Sequence, residues 1–391
     1  MIGIALAGVS FALVLVALYG AAAIERSSRL AGVQDRPELQ APKRVWGGER
    51  EYPPAHYAAV RGVAAVARLA RGRTFVADAS SALRRSSRVL SLVATASALS
   101  ILPFAGTWGA SVAGRPLVVV DLDYGLGVLV FLILISGLAQ AATGLAERSL
   151  WARLAALRVA GQSLIGVALL LLVLAPLVLA TSSLRPFDFV LYQQGSFAPL
   201  ALLGDEFMGF RVAGLEAFRL PNWFLFRQPL TAILVVPTLG LLLQRHSVYG
   251  GSNNTSGMSG FGLDSDPGDL YWMGLESRLS AILAGAIFVA FFLGGSAIPY
   301  FDPAPLLERA APLLGQGFPA FLLAVLQFSI FGVKLLAVLA LASLLRRSTG
   351  RARTDQSLRT MTRRLIPLAW ANLLLLSALS LLSDPVLEGL R

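Results

Sequence analysis

Residues 160–181 read AGQSLIGVALLLLVLAPLVLAT, a run without one charged side chain. An α-helix rises about 1.5 Å per residue, so this stretch is long enough to cross the roughly 30 Å hydrocarbon core of a bilayer. Pro176 lies inside it, as Pro237 lies inside a later run. Such prolines are tolerated where neighbouring helices satisfy the freed backbone groups. Working outward, seven further runs have the same character: 2–24, 89–107, 126–146, 222–243, 278–296, 318–345 and 365–383. The expected fold is an all-α integral membrane protein, a single membrane domain over residues 1–391 with eight transmembrane helices.

Composition agrees. Only 14% of the 391 residues are charged and the mean hydropathy is +0.69, against about 25% charged in a soluble domain. There is no cysteine, which excludes disulfides, thiolate metal sites and cysteine nucleophiles. The two histidines, His56 and His246, are far apart, and no HExxH, GxGxxG or P-loop pattern occurs. The net charge of +11 rests on 31 Arg and only Lys43 and Lys334. These residues cluster in loops between apolar runs, so topology explains them better than nucleic-acid binding does.

The loops 25–88, 147–158, 244–278 and 346–364 hold 25 of the 33 basic residues. The positive-inside bias therefore places them on the cytoplasmic or matrix side and both termini on the outer side. Met1 opens an apolar run with no basic leader and no small-residue cleavage site, so 2–24 is expected as a retained first helix. The long basic inside loop that follows contains HYAAVRGVAAVARLARGR at 56–73. It reads either as a helix lying at the membrane surface or as a solvated loop. The stretch 244–274 has the Gly, Asn, Ser and Pro content of turns.

Charged residues in or against a span are costly and thus functional candidates. They are Lys334 inside span seven, Glu147 at the end of span three, Arg158 at the start of span four and Glu276 at the start of span six. For Lys334 the alternative is a structural pairing with an acid or polar group. For the other three it is snorkelling to the interface.

Several local patterns carry a resemblance. RARTDQSLRTMTRRLIPLAWANLLL at 351–375 places Arg351, Arg353, Asp355, Gln356, Pro367, Leu368 and Asn372 on an Arg-x-Arg-x-Asp-Gln, Leu-Pro-Leu and Asn pattern. Glu25, Arg26, Gln34, Arg36 and Pro37 follow the first run; LAALRVAGQS stands at 154–163, FRQPL at 226–230, Ser256-Gly257-Met258 later, and FFLGG at 291–295. Together these resemble, in order along the chain, the quinone-site membrane subunit of respiratory complex I, known in mitochondria as NADH dehydrogenase subunit 1 and in bacteria as the H subunit. The resemblance implies part of a quinone tunnel and the start of a proton-coupling route. Quinone would be the substrate, with NADH, FMN and iron–sulfur clusters belonging to partner subunits. Those partners would be the peripheral quinone-reducing subunits and adjacent membrane subunits, within membrane lipid and without nucleic acid.

On this basis Glu25, Arg26, Gln34, Arg36 and Arg245 are the candidates for the quinone path, since cations stabilise charge on a reduced quinone. Glu276 and Glu147 are candidates for the proton route. Departures from the family pattern are Leu242 and Asn254 at Glu positions and SLIG at 163–166 where Ser-Tyr-Glu is usual. Glu276 fits a later Glu of the pattern. A carboxylate partly desolvated beside Met273 and Leu275 can exchange protons near neutral pH; the plainer alternative is a helix N-terminal Glu stabilised by the macrodipole. Asp264, Asp266 and Asp269 are further acids able to substitute for missing ones. The erosion of the pattern favours the mitochondrial inner membrane over the bacterial plasma membrane. Open alternatives are the equivalent subunit of a membrane-bound hydrogenase and, from another class, a free-standing carrier or channel.

Overall fold

The structure, a computed structural model, describes residues 79–108, 115–146, 150–197, 206–207, 210–211, 220–243, 267–297, 317–348 and 354–382. The expected span 2–24, the basic stretch 56–73, and most of the turn-rich 244–274 lie outside these residues. The described chain is mostly helical. Its helices are α1 (Ala79–Ile101), α2 (Gly125–Leu145), α3 (Leu150–Thr181), α4 (Pro186–Tyr192), α5 (Phe224–Arg227), α6 (Pro229–Leu243), α7 (Pro267–Phe292), α8 (Gly317–Ser348), α9 (Thr354–Thr360) and α10 (Ile366–Leu382). Among the described residues four helical stretches are long and apolar enough to cross a membrane: Gly125–Leu145, Arg153–Thr181, Leu275–Phe292 and Phe321–Leu344. Pro229–Leu242 is a shorter apolar helix.

Several helices begin before the apolar runs do. α1 starts at Ala79 and carries Arg84, Arg85 and Arg88 in its first half; α3 starts at Leu150 and α7 at Pro267. Apolar runs mark only the part of a helix that needs hydrocarbon, whereas backbone hydrogen bonding continues into the polar flank. For α7, Pro267 at the first helical position loses nothing by lacking an N–H, so its first eight residues are helix rather than the expected turn. The run 222–243 is broken instead, because Pro229 starts a new helix after Gln228. Before Pro367, which cannot donate to an i−4 carbonyl, Met361–Leu365 widens to a π-turn.

α7 is the centre of the bundle. It packs against α1, α6 and α8, while α3 packs against α2, α6 and α10. Ile282, Leu283, Ala286, Ile287, Val289, Ala290, Phe291 and Phe292 are all buried, so α7 hides most of its second half, with only a half-exposed stripe at Ala281, Ala284 and Phe288. α8 is peripheral: Phe321, Leu322, Val333 and Leu341 are exposed on it, as lipid-facing side chains are. Three two-residue antiparallel strand pairs tie the connections: Thr107–Trp108 with Arg115–Pro116, Ser196–Phe197 with Leu220–Pro221, and Glu206–Phe207 with Phe210–Arg211. At the start of α4, Arg185 forms a bidentate pair with Asp121. The hydrogen bond donated to that carboxylate raises the Arg185 pKa above its ordinary value against a smaller desolvation penalty.

Candidate functional site

Of the expected site residues, Glu276 lies within the described structure; Glu25, Arg26, Gln34, Arg36, Arg245 and Glu147 lie outside it. Glu276 is nine residues beyond Pro267 on α7 and only 4% exposed. It is neither a helix-terminal residue stabilised by the macrodipole nor a side chain snorkelling to the interface. Burying a carboxylate in apolar surroundings is prohibitive unless hydrogen bonds replace its water. α1 and α2 supply them.

The Nε2 of Gln140, on α2, donates to Glu276 Oε1 at 2.6 Å. The Ser91 hydroxyl, on α1, donates to the same oxygen. Ser91 Oγ also lies 3.0 Å from the Ser136 carbonyl and 3.2 Å from Ser136 Oγ, and 3.5 Å from Gln140 Nε2. Thr95 Oγ1 lies 2.9 Å from Ser136 Oγ. Toward the start of α1, Ser87 Oγ and Thr143 Oγ1 are 3.0 Å apart. Every one of these side chains is buried.

Helical spacing explains the assembly. Ser87, Ser91 and Thr95 follow at i, i+4 and i+8 on α1; Ser136, Gln140 and Thr143 follow at i, i+4 and i+7 on α2. Each set forms a stripe on one face, and small hydroxyl residues let the two backbones approach closely. The result is a polar seam between two helices with the α7 carboxylate set against it. Arg88, also buried, lies between Ser87 and Ser91 on α1. Sequence reasoning picked out Glu276 and missed its partners, although the four-residue spacing of Ser87, Ser91 and Thr95 was there to be read.

A second, partly buried polar assembly stands at the other end of α7. Lys334 on α8 donates from Nζ to the carbonyls of Leu293 at 2.7 Å, Gly295 at 3.0 Å and Ala297 at 2.7 Å. Its ammonium also sits 4.5 Å from the centre of the Trp223 ring. The expected structural partner was an acid or polar group; the partners are backbone carbonyls just past the helix end, where the macrodipole favours a cation. Gln193 completes the assembly. Its Oε1 accepts from Gly294 N at 3.0 Å and its Nε2 donates to the Ala290 carbonyl at 3.1 Å.

Among the described residues no three His, Asp or Glu gather where they could hold a metal ion. The chemistry this geometry offers is proton exchange at one buried carboxylate within a membrane bundle. The sequence profile of a family described as NADH dehydrogenase matches residues 57–377. The chain belongs to the NADH dehydrogenase family. It is also similar to the H subunit of the NADH-quinone oxidoreductase of Bdellovibrio bacteriovorus, 26% identical over 282 residues, which is 69% of this chain and 67% of that protein. The family is the one that the motifs pointed to, and the chain is a membrane subunit of that enzyme class.

The NADH dehydrogenase motifs have visible jobs in the bundle. Asn372, from the 351–375 motif, is buried and donates from Nδ2 to Thr231 Oγ1 at 2.9 Å. Thr231 lies 3.4 Å from Gln228 Oε1, and Gln228 donates to the Pro176 carbonyl at 3.4 Å. Two motifs far apart in sequence, FRQPL and the final Asn, thus meet in one polar chain linking α10, α6 and α3. Gly294 of FFLGG has φ +67°, and a Cβ there would come within 2.6 Å of Trp223, so both backbone and space demand glycine. Leu242 is fully buried, and its Cδ1 lies 2.6 Å from where a Cβ on Gly166 would stand. Leu242, at a position departing from the acidic pattern, thus packs on α6 in an apolar contact against Gly166 of α3. Ser256, Gly257, Met258 and Asn254 lie outside the described residues.

Proposed function

We propose that this chain is the quinone-site membrane subunit of a proton-pumping NADH:quinone oxidoreductase, equivalent to its bacterial relative, and that Glu276 is its proton-exchanging group. The observation that carries this reading is the buried Glu276 carboxyl held by Gln140 and Ser91 in a chain of the NADH dehydrogenase family. A carboxyl group inside an apolar bundle, with hydroxyl and amide partners able to reorient, is suited to take up and release a proton. The quinone path is assigned to Glu25, Arg26, Gln34, Arg36 and Arg245, where cations at the foot of the first and fifth spans would meet the headgroup. Glu147 stays a proposed member of the proton route.

The chain acts on this reading as one membrane domain over 1–391 with eight spans, a long basic inside loop after the first, and both termini outside. Its partners are the peripheral quinone-reducing subunits, which hold FMN and iron–sulfur clusters, the adjacent membrane subunits, and lipid. The bacterial relative supports the bacterial plasma membrane over the mitochondrial inner membrane. The equivalent hydrogenase subunit shares the fold and differs in its electron acceptor; the relative from an NADH-quinone oxidoreductase favours the quinone-linked reading. Family membership speaks against a free-standing carrier.

Glu276→Gln tests the proposal, because it keeps shape and hydrogen-bonding capacity but cannot carry a proton. The assembled variant, in vesicles, is expected to lose proton pumping, with quinone-linked NADH oxidation slowed about tenfold to a hundredfold. NADH oxidation by a soluble artificial acceptor should persist. A wild-type proton-to-electron ratio would rule Glu276 out.

A further inference from the structure

We infer that Gln140 and Ser91 are the positioning residues for proton exchange at Glu276, one of their two hydrogen bonds reversing direction when the carboxylate takes up a proton. This rests on the reading of Glu276 given above and adds how the site serves both of its states. An ionised carboxylate only accepts hydrogen bonds, whereas the acid also donates one. In the structure both neighbours donate to the same oxygen, Glu276 Oε1, which is the arrangement the anion requires.

Neither neighbour is committed to that arrangement. Ser91 owns one hydroxyl proton and has three acceptors within reach: Glu276 Oε1, the Ser136 carbonyl and Ser136 Oγ. Once Glu276 is neutral, Ser91 can turn its proton to Ser136 and accept the acid's O–H on a lone pair. Gln140 is 3% exposed, and its Oε1 has no hydrogen-bond partner among the described residues while its Nε2 is engaged. Alternatively, a half-turn of the amide brings that unsatisfied carbonyl to the acid's single O–H in place of Ser91. A buried acceptor without a partner is costly, and the arriving proton relieves it.

The step balances simply. A hydronium ion gives its proton to a carboxylate oxygen of Glu276 and leaves as water. The surrounding O–H and N–H groups then reorient, and no other covalent bond changes. Because Ser136 belongs to α2 and Ser91 to α1, loading the proton turns the Ser91 donation from the α1–α7 contact to the α1–α2 contact, while the α1–α7 hydrogen bond persists with its direction reversed.

The test uses the assembled enzyme and infrared difference spectra taken on acidification. Glu276→Gln first identifies the carboxyl band by its loss. In Gln140→Met and in Ser91→Ala that band should move to higher frequency, since the acid group has lost a hydrogen-bond partner. The turnover number should fall about tenfold in each variant with KM for quinone unchanged. An unmoved band with wild-type turnover in both variants overturns the inference. If this occurs while Glu276→Gln abolishes pumping, the role of Glu276 survives and only its positioning by Gln140 and Ser91 is lost; wild-type pumping by Glu276→Gln removes both. Should Gln140→Met fail to assemble, Ser91→Ala, which deletes a single oxygen atom, decides alone.

Discussion

Helix α7 meets a buried anion in its first half and a half-buried cation at its end, and the two are held in opposite ways. Lys334 has three N–H donors and three carbonyl acceptors, each within 3.0 Å. Nothing there is left to rearrange. At Glu276 the proton of Ser91 is shared among acceptors on two helices, and one end of the Gln140 amide is idle. Saturation marks a clamp; surplus acceptors mark a group whose protonation can change. The two sites are about 25 Å apart along the helix, taking the rise over seventeen residues from Glu276 to Leu293, so they can be perturbed separately.

The largest effect is expected at the clamp. Lys334→Met removes the donor for three carbonyls inside the bundle at once, and orphaned acceptors cost about 1–3 kcal/mol each when they stay dry. The expected loss is about 3 kcal/mol or more of stability, read as a severalfold drop in assembled enzyme on native electrophoresis. The enzyme that does assemble should keep its proton-to-electron ratio. A fully assembled Lys334→Met enzyme with an altered ratio would break the contrast, making the cation a functional charge.

Gly294→Ala should come next. It forces a side chain into positive φ and against Trp223, whose ring also covers Lys334. Strain of about 1–3 kcal/mol is expected from the backbone alone. The measurement is the thermal midpoint of the detergent-solubilised enzyme, which should fall with the ratio again unchanged. An unaltered midpoint would mean that the turn after Phe292 has slack and that the cation does not lock it.

How much of this was legible in the sequence follows the same contrast. Four of the expected spans, 126–146, 160–181, 278–296 and 318–345, were legible because hydrocarbon demands uninterrupted apolar runs. The true starts of α1, α3 and α7 were not, since helices extend into polar flanks that such runs do not mark. Glu276 was readable from its place in the family pattern. Its partners were not singled out, because a Ser or Thr within a span commonly bonds the carbonyl one turn back on its own helix. Thr95, Thr143, Ser163 and Thr238 all do so here. Only packing tells which hydroxyl also reaches across, as Ser91 and Thr95 do. Lys334 was expected to find an acid or polar group; its partners are backbone atoms presented by a glycine turn, which no residue type announces.

The smallest effect sharpens the comparison most. Ser87 is one turn from Ser91 on the same face of α1, equally buried, and bonded across the same interface, to Thr143 at 3.0 Å. Its hydroxyl is engaged with Thr143 and the Arg84 carbonyl rather than with the carboxylate. Ser87→Ala therefore removes one neutral interhelical hydrogen bond, worth about 0.5–1.5 kcal/mol, and leaves the groups around the carboxylate in place. The thermal midpoint should drop slightly, while turnover and proton-to-electron ratio stay at wild-type values. Ser91→Ala removes the same atom from the same helix contact but also takes a donor from Glu276, so the pair separates loosening of the α1–α2 seam from loss of the proton's partner. Equal losses of turnover in the two variants would show that the seam itself matters, and the distinction between a saturated clamp and an exchangeable site would then have to be drawn between α1 and α8 rather than between Glu276 and Lys334.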